Sequence, residues 1–273
     1  SDAGLSHLCP GPLRPQAILA AGAGWSGCAS RRRRRAPRQG SRRTLAAGVD
    51  LILDPVVRID PDAKLLGLAS GAKLSYDVLI VASGARLAPD ATPGFVEACE
   101  AGVAGHFYDL DGALALGGLL DGFSGGKIVV NVAEMPIKCP VAPHEMTFLV
   151  EAWLRRRGMR GKSDIVFATP LSGAFTKPVA SAALGATMAS KGVDVAGDFV
   201  LADIDPAARV AHSYDGRELP FDLFIGVPPH RGSEAVAGSG LGDEDGWLQT
   251  DRHTLQSRVH PDIWALGDCT DLP

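Results

Sequence analysis

Residues 59–63 read Ile-Asp-Pro-Asp-Ala, and residues 204–208 read Ile-Asp-Pro-Ala-Ala. These matching turns lie inside two longer copies, residues 48–81 and 192–226, which both begin with Gly-Val-Asp and both end in an apolar run. Short runs of strand-forming residues between Asp-Pro and Gly turns predict a strand, a hairpin strand and a buried apolar strand in each copy. The sequence therefore predicts a duplicated β-meander.

The segment between the two copies alternates strand and helix patterns. Lys127–Val132 and Asp164–Ala168 are short apolar runs of the kind found in central parallel strands. His144–Arg157 has apolar residues at helical spacing, and Ala180–Ser190 predicts a second helix. Strand, helix, strand, helix and meander is the order of a dinucleotide-binding domain.

A duplicated meander therefore predicts an α/β fold with two dinucleotide-binding, Rossmann-like domains, each with a three-stranded β-meander. We predict that the first domain consists of residues 1–100 and a return segment at 236–273. The second domain is expected to be inserted at residues 101–235.

Composition excludes several classes of protein. The chain has 273 residues, of which 46% are hydrophobic and 21% charged, enough for two packed cores. It has no run of about 18 apolar residues that would span a membrane. A net charge of -4 and 6% aromatic residues argue against nucleic-acid binding. Its five cysteines include no C-x-x-C pair, so neither a disulfide framework nor a metal site is expected, and a reducing, cytoplasmic setting is the default.

The first 45 residues differ in charge from the rest, with nine Arg and one acidic residue. The run Arg31–Arg35 is typical of a solvated tail. Residues 28–45 are too few to hold the helix and second strand that a dinucleotide-binding domain needs before its meander. We therefore expect residues 1–45 to be an aberrant segment and residues 28–45 to be irregular.

Three short motifs carry the candidate cofactor site. An apolar run leads into G-x-G-x-x-G, whose glycines would allow a tight turn and close approach of a pyrophosphate. The second motif is a strand that ends in small residues, which either let the backbone meet a ligand or simply form a tight turn. The third is a short apolar strand ending in Gly-Asp, whose carboxylate could accept hydrogen bonds from a sugar-like hydroxyl. In order, these motifs contain Gly22, Gly24 and Gly27; Ala82, Ser83 and Gly84; and Gly267 and Asp268.

Three passages together resemble one family of flavoproteins. They are Met135–Pro143, Phe167–Pro170, and the stretch from Gly246-Trp247 through Leu255-Gln256 to Ala265–Asp268. From about residue 46 onward the chain resembles two-dinucleotide-domain flavoproteins of the glutathione-reductase type, and among them the sulfide:quinone oxidoreductases. The resemblance implies FAD as cofactor, with Ser83 and Gly84 near it and Asp268 on the ribitol. It also implies that Cys139 is a redox cysteine close to the flavin.

The chemistry of cysteine supports a role for Cys139 independently. It lies in a Pro-rich loop between a predicted strand and a predicted helix, the end of an α/β sheet where ligands bind. A reactive thiolate must be accessible and have a depressed pKa, and the neighbouring Lys138 could stabilise it. The alternative is a quiet buried cysteine. We expect Cys269 to be structural, and we assign no acid–base role to His144 or His260.

The loop after Lys127–Val132 also argues against a nicotinamide cofactor, because residues 134–143 contain no glycine. The leading hypothesis is therefore transfer of two electrons from a small-molecule sulfur donor through FAD to a quinone. An NAD(P)H-dependent flavin oxidoreductase and a catalytically inactive fragment remain as alternatives.

The resemblance leads to further expectations. It is compatible with a homo-oligomer and with peripheral association of a full-length protein with the inner membrane face. It also implies a further segment beyond Pro273. The region Gly105–Tyr108, where the family often places an earlier redox cysteine, has none, and Cys99 is the nearest candidate.

Overall fold

The computed structural model describes residues 49–272, which form two compact units. The first unit contains residues 49–84 and 232–272, and the second contains residues 85–231. The units divide after Gly84 and after Arg231, earlier than the boundaries at 100 and 235 that the sequence predicts. The N-terminal motif with Gly22, Gly24 and Gly27, and the expectation of irregular structure at 28–45, lie outside the described residues.

The described elements follow one another in chain order. The strands are β1 Val56–Asp60, β2 Leu65–Leu68, β3 Lys73–Ser75, β4 Leu79–Val81, β5 Arg86–Leu87, β6 Ala104–Gly105, β7 Gly126–Val132, β8 Ser163–Ala168, β9 Val193–Ala196, β10 Leu201–Asp205, β11 Val210–Ser213, β12 Glu218–Pro220, β13 Leu223–Val227, β14 His230–Arg231 and β15 Ile263–Ala265. The α-helices are α1 Phe95–Glu100, α2 Leu110–Gly122, α3 Ala142–Arg156, α4 Pro178–Ser190 and α5 Glu234–Ala237. Short 3-10 turns lie at Pro89–Ala91 and Arg160–Lys162.

The second unit is built on a five-stranded parallel sheet with strand order β6-β13-β7-β8-β9. Its central strands are apolar along their length because both faces are covered, and Ile128, Val129 and Val130 are completely buried. One face packs in a core with Leu154 of α3, and the other packs with Phe95 of α1. The α/β character of the prediction is therefore confirmed.

The duplicated meander is also confirmed. The sheets β1-β2-β3 and β10-β11-β12 are both antiparallel. The equivalent pairs Asp60↔Leu65 and Asp205↔Val210 close their first hairpins. Both first strands also have a register shift one residue after their start. The repeat in the sequence thus encodes a repeated register.

The composition of the third strand was predicted wrongly. The apolar run of each copy does not close the meander, because the short strands β3 and β12 do so. The apolar runs β4 and β13 instead join parallel pairs. The two differ in burial: all of β13 is buried, whereas Ile80 in β4 is 60% exposed. The reason is pairing, since β13 lies between two strands and β4 has only β15 as a partner among the described residues.

Two helices begin two residues before their predicted starts, and proline explains both differences. α3 begins at Ala142 and α4 at Pro178, and each has a proline in its first two positions. A proline there loses no hydrogen bond and has a backbone angle already suited to the helix.

Candidate functional site

Two of the three predicted cofactor segments lie side by side in the first unit. Strand β4 runs parallel to β15, with Leu79 opposite Ile263 and Val81 opposite Ala265. Because parallel strands end at the same edge of a sheet, the residues that follow them meet there. The backbone N–H of Leu266 donates to the Val81 carbonyl at 2.9 Å. Ala82–Gly84 and Gly267–Asp268 therefore leave the sheet together.

Cys269 holds these two segments in place from below. Its side chain is buried, and Sγ donates to the carbonyls of Val81 and Leu266, each at 3.3 Å. Burial raises the pKa of the Cys269 thiol, and the backbone N–H groups of Leu266 and Ser83 offset part of that rise. A buried thiol with these contacts acts as a small packing residue, as the sequence analysis expects.

Above this buried layer the two turns present open, polar groups. Ser83 and Asp268 are exposed. Gly84 and Gly267 have positive φ angles of 66° and 75°, and a Cβ at either position would meet no atom within 4 Å. The arrangement leaves room for a ligand that contacts the backbone closely at the carboxyl ends of parallel strands. These residues fit a dinucleotide such as FAD, although the N-terminal glycine motif lies outside the described part of the chain.

Cys139 belongs to the second unit, in the loop between β7 and α3. It is exposed and adopts the left-handed conformation with a φ of 52°, uncommon for a residue other than glycine. Its carbonyl accepts two hydrogen bonds, from the Ala142 N–H at 3.0 Å and from the Tyr108 hydroxyl at 3.3 Å. Such a conformation persists only where its surroundings enforce it, and it is common at functional sites.

Tyr108 is a residue of this site that sequence reasoning missed. Its ring packs edge-on against His230, with the ring centroids 5.0 Å apart. Burial, and secondarily the negative charge of an ionised Cys139, raise the pKa of the Tyr108 hydroxyl well above its ordinary value. Tyr108 is therefore a neutral hydrogen-bond donor at neutral pH. No motif marks it, but it lies just after β6, in the stretch where the sequence analysis looked for a cysteine.

The other predicted candidates near this edge have structural partners. Glu134, which follows β7, forms an ion pair with Arg231. His144 lies in α3 with only 5% of its surface exposed, contrary to the expectation of a solvent-exposed histidine. His260 is 3.5 Å from the Asp62 carboxylate in the first unit. Lys138 is half-buried, and its role in stabilising a thiolate stays a prediction.

Two further classes of site were searched for in residues 49–272. That part of the chain contains no helix long and apolar enough to cross a bilayer. It also contains no cluster of three or more His, Cys, Asp or Glu side chains that could hold a metal ion.

Comparison with curated proteins shows resemblance to one family of enzymes. The chain is 28% identical over 235 residues to the mitochondrial sulfide:quinone oxidoreductase of Mus musculus, which covers 84% of the chain and 52% of the mouse protein. It is 23% identical over 238 residues to the sulfide-quinone reductase of Aquifex aeolicus, covering 82% of the chain and 53% of that protein. No family model matches. The chain spans about half the length of these relatives.

Solved structures show the same fold. The sulfide:quinone oxidoreductase of Aquifex aeolicus superposes with a TM-score of 0.72 at 21% identity, over 83% of this chain and 54% of that one. A ferredoxin reductase from Rhodopseudomonas palustris superposes with a TM-score of 0.60 at 21% identity, over 82% of this chain and 51% of that one. The chain thus shares the α/β fold of these oxidoreductases and resembles sulfide:quinone oxidoreductases in sequence.

Proposed function

We propose that this chain is an FAD-dependent oxidoreductase of the sulfide:quinone oxidoreductase type, with Cys139 as its redox cysteine. The observation that carries the proposal is the exposed, left-handed Cys139 in a chain whose curated relatives are sulfide:quinone oxidoreductases. When bound, FAD would accept two electrons from a sulfur donor and deliver them to a quinone. A homo-oligomer and peripheral membrane association belong to the same proposal.

Within this proposal the first unit binds the cofactor. Ser83 and Gly84 would contact it with their backbone, and the Asp268 carboxylate would accept hydrogen bonds from the ribitol hydroxyls. The open space at Gly84 and Gly267 supports this assignment, because both backbones can be approached without meeting a side chain. The division into a flavin-binding domain and an inserted domain is part of the same proposal.

The second unit supplies the thiol. Exposure lets the Cys139 sulfur reach a sulfur donor, and as a thiolate it would be the attacking nucleophile. Tyr108 keeps the loop in position through the Cys139 carbonyl. The loop between Val132 and Ala142 has no glycine-rich turn for a pyrophosphate, which disfavours a nicotinamide cofactor in this unit.

The test is anaerobic reduction of bound flavin by sulfide, followed by visible absorbance. Cys139→Ser should abolish sulfide-dependent reduction while FAD stays bound, because a hydroxyl is a far poorer nucleophile than a thiolate at neutral pH. Cys99→Ser is the matched control and should keep the wild-type rate. Undiminished reduction in Cys139→Ser would remove Cys139 from the mechanism. Reduction of the flavin by NADH would support the nicotinamide alternative, and a purified chain that binds no flavin would support the inactive one.

A further inference from the structure

A small apolar pocket lies in the second unit, behind the loop that carries Cys139. Its volume is about 250 Å³. Ile137 and Pro140 of that loop form one wall, and Phe167 at the end of β8 and Phe175 in the next loop form another. The polar residues that line it are His144, Thr169 and Thr176, and among the described lining residues none carries a formal charge. We call this cavity the His144 pocket.

His144 is held in one orientation. Its ring lies 4.8 Å from the Phe167 ring and 5.4 Å from the Phe175 ring, measured between centroids. Its Nε2 is 2.5 Å from the carbonyl oxygen of Ala174. Because a carbonyl oxygen can only accept, Nε2 must carry the proton.

The other ring nitrogen is left without a partner. In the neutral ring Nδ1 carries a lone pair, and it has no hydrogen-bond partner among residues 49–272, although His144 is 95% buried. A buried acceptor with no donor costs free energy, so such atoms in native proteins call for an explanation. A bound molecule that donates one hydrogen bond to Nδ1 would remove that cost.

The walls restrict what this molecule can be. An ion is disfavoured, because the described lining offers no opposite charge to offset desolvation. Water typically makes about three hydrogen bonds in a buried site, more than this apolar lining readily supplies. A neutral thiol needs fewer, since S–H is a weak donor and sulfur packs well against aromatic rings and the Met135 thioether in the wall.

We propose that the His144 pocket binds a small neutral thiol, with hydrogen sulfide the smallest, which donates its S–H to His144 Nδ1. The inference rests on the proposed function, because it takes the un-ionised sulfur donor as the ligand. The pocket shares Ile137 and Pro140 with the Cys139 loop, so it stores the donor beside the thiol that uses it. Binding is non-covalent and no electron moves in this step.

Nuclear magnetic resonance of the full chain with ¹⁵N-labelled histidine tests the proposal. Sodium sulfide is the probe, compared with sodium chloride at the same pH. At a pH where un-ionised hydrogen sulfide predominates, the Nδ1 resonance of His144 should shift in a saturable manner. At a pH where the hydrosulfide ion predominates, the shift should be much smaller. The resonance of His253, which is exposed in the first unit, should not move.

His144→Gln assigns the resonance and removes the acceptor. The glutamine amide can still donate to the Ala174 carbonyl but has no counterpart of Nδ1. It should raise the half-saturating sulfide concentration for flavin reduction by about two- to tenfold, the range expected for one hydrogen bond. His253→Gln should leave that concentration unchanged. If His144→Gln does not fold, proximity of the His144 ring to Phe167 and Phe175 identifies the resonance instead.

The outcomes separate the pocket from the enzyme reaction. Cys139→Ser should keep the His144 shift, because the binding is non-covalent, even though flavin reduction is lost. A shift of equal size with the hydrosulfide ion, its loss in Cys139→Ser, or no shift at any sulfide concentration would each overturn the proposal. Failure of sulfide to reduce the flavin would overturn the proposed function alone, since the histidine resonance does not depend on flavin.

Discussion

Gly112 shows how a single residue is set by its contacts. It is buried in the first turn of α2, and the Asp109 side chain accepts a hydrogen bond from its N–H at 2.8 Å. A Cβ at Gly112 would lie within 2.4 to 2.8 Å of atoms of the His106 ring. Gly117, in the same helix, is exposed, and a Cβ there would meet nothing within 4 Å. The helix therefore contains two glycines with opposite requirements.

We expect Gly112→Ala to lower the free energy of unfolding by about 1 to 3 kcal/mol, the usual cost of overpacking. Gly117→Ala should raise it by about 0.5 to 1 kcal/mol, because alanine favours the helix over glycine. Urea denaturation of both variants measures the difference. Equal effects of the two substitutions would show that the His106 ring moves aside freely.

A buried carboxylate ties three elements of the second unit together. Glu151 in α3 is 1% exposed and pairs with Arg155 of its own helix. It also lies 3.8 Å from Arg160 Nε in the following 3-10 turn and 3.6 Å from Lys191 Nζ just after α4. The carboxylate thus connects α3 to the ends of two neighbouring segments.

Glu151→Gln should destabilise the chain by about 1 to 3 kcal/mol, because three cations lose the charge they share. The effect is held below that of a fully buried pair, since the Arg155 side chain is 59% exposed. Glu145→Gln, an exposed change in the first turn of the same helix, should cost only about 0.3 to 1 kcal/mol. Denaturant unfolding would contradict this explanation if both changes had the same effect.

The second meander has a titrating cross-strand pair. His212 of β11 lies opposite Asp203 of β10, and the Nδ1 to carboxylate distance is 2.7 Å. The hydrogen bond to Asp203 raises the pKa of His212 above its ordinary value. A raised pKa means that this pair stabilises the folded state fully below the unfolded-state pKa, and that the contribution is lost as the pH rises through the folded-state pKa.

The free energy of unfolding should therefore fall between about pH 5.5 and about pH 8.5 more steeply in the wild type than in Asp203→Asn. Fluorescence-monitored denaturation at several pH values measures the two slopes. The difference should be small, since the pair is partly exposed and screened by solvent. Parallel pH profiles would show that the pair contributes nothing.

At the scale of the whole molecule, the proposed cofactor site belongs to one unit and the proposed thiol to the other. A ligand that binds only the folded state stabilises it in proportion to the logarithm of its concentration over its dissociation constant. FAD at about 100 times that constant should therefore add about 2.7 kcal/mol to the stability of the molecule that binds it.

Asp268→Ala should reduce this stabilisation by FAD, because the carboxylate is proposed to hold the ribitol. Asp90→Ala, an exposed acidic position in the second unit, should leave it unchanged. Thermal unfolding at increasing FAD concentration measures both. An unaltered FAD dependence in Asp268→Ala would remove that residue from the site.

Local sequence determined the elements of this protein. The Asp-Pro and Gly turns of the two copies specify their hairpins, since these residues favour turns wherever they occur. The runs at 127–132 and 164–168 specify central strands because they are apolar without interruption. Even the position of Cys139, between a strand and a helix, follows from these local patterns.

The tertiary structure alone decided which elements meet. Nothing in the residues near Val81 shows that its carbonyl accepts from Cys269, which is 188 positions away. The partner of Tyr108 and the missing partner of His144 Nδ1 are equally hidden, because each depends on where a distant loop returns to the sheet. The exposure of Ile80 in a run that matches the buried β13 has the same origin. Hydrophobic pattern states what a residue prefers, whereas strand pairing and the packing of non-local loops determine what surrounds it.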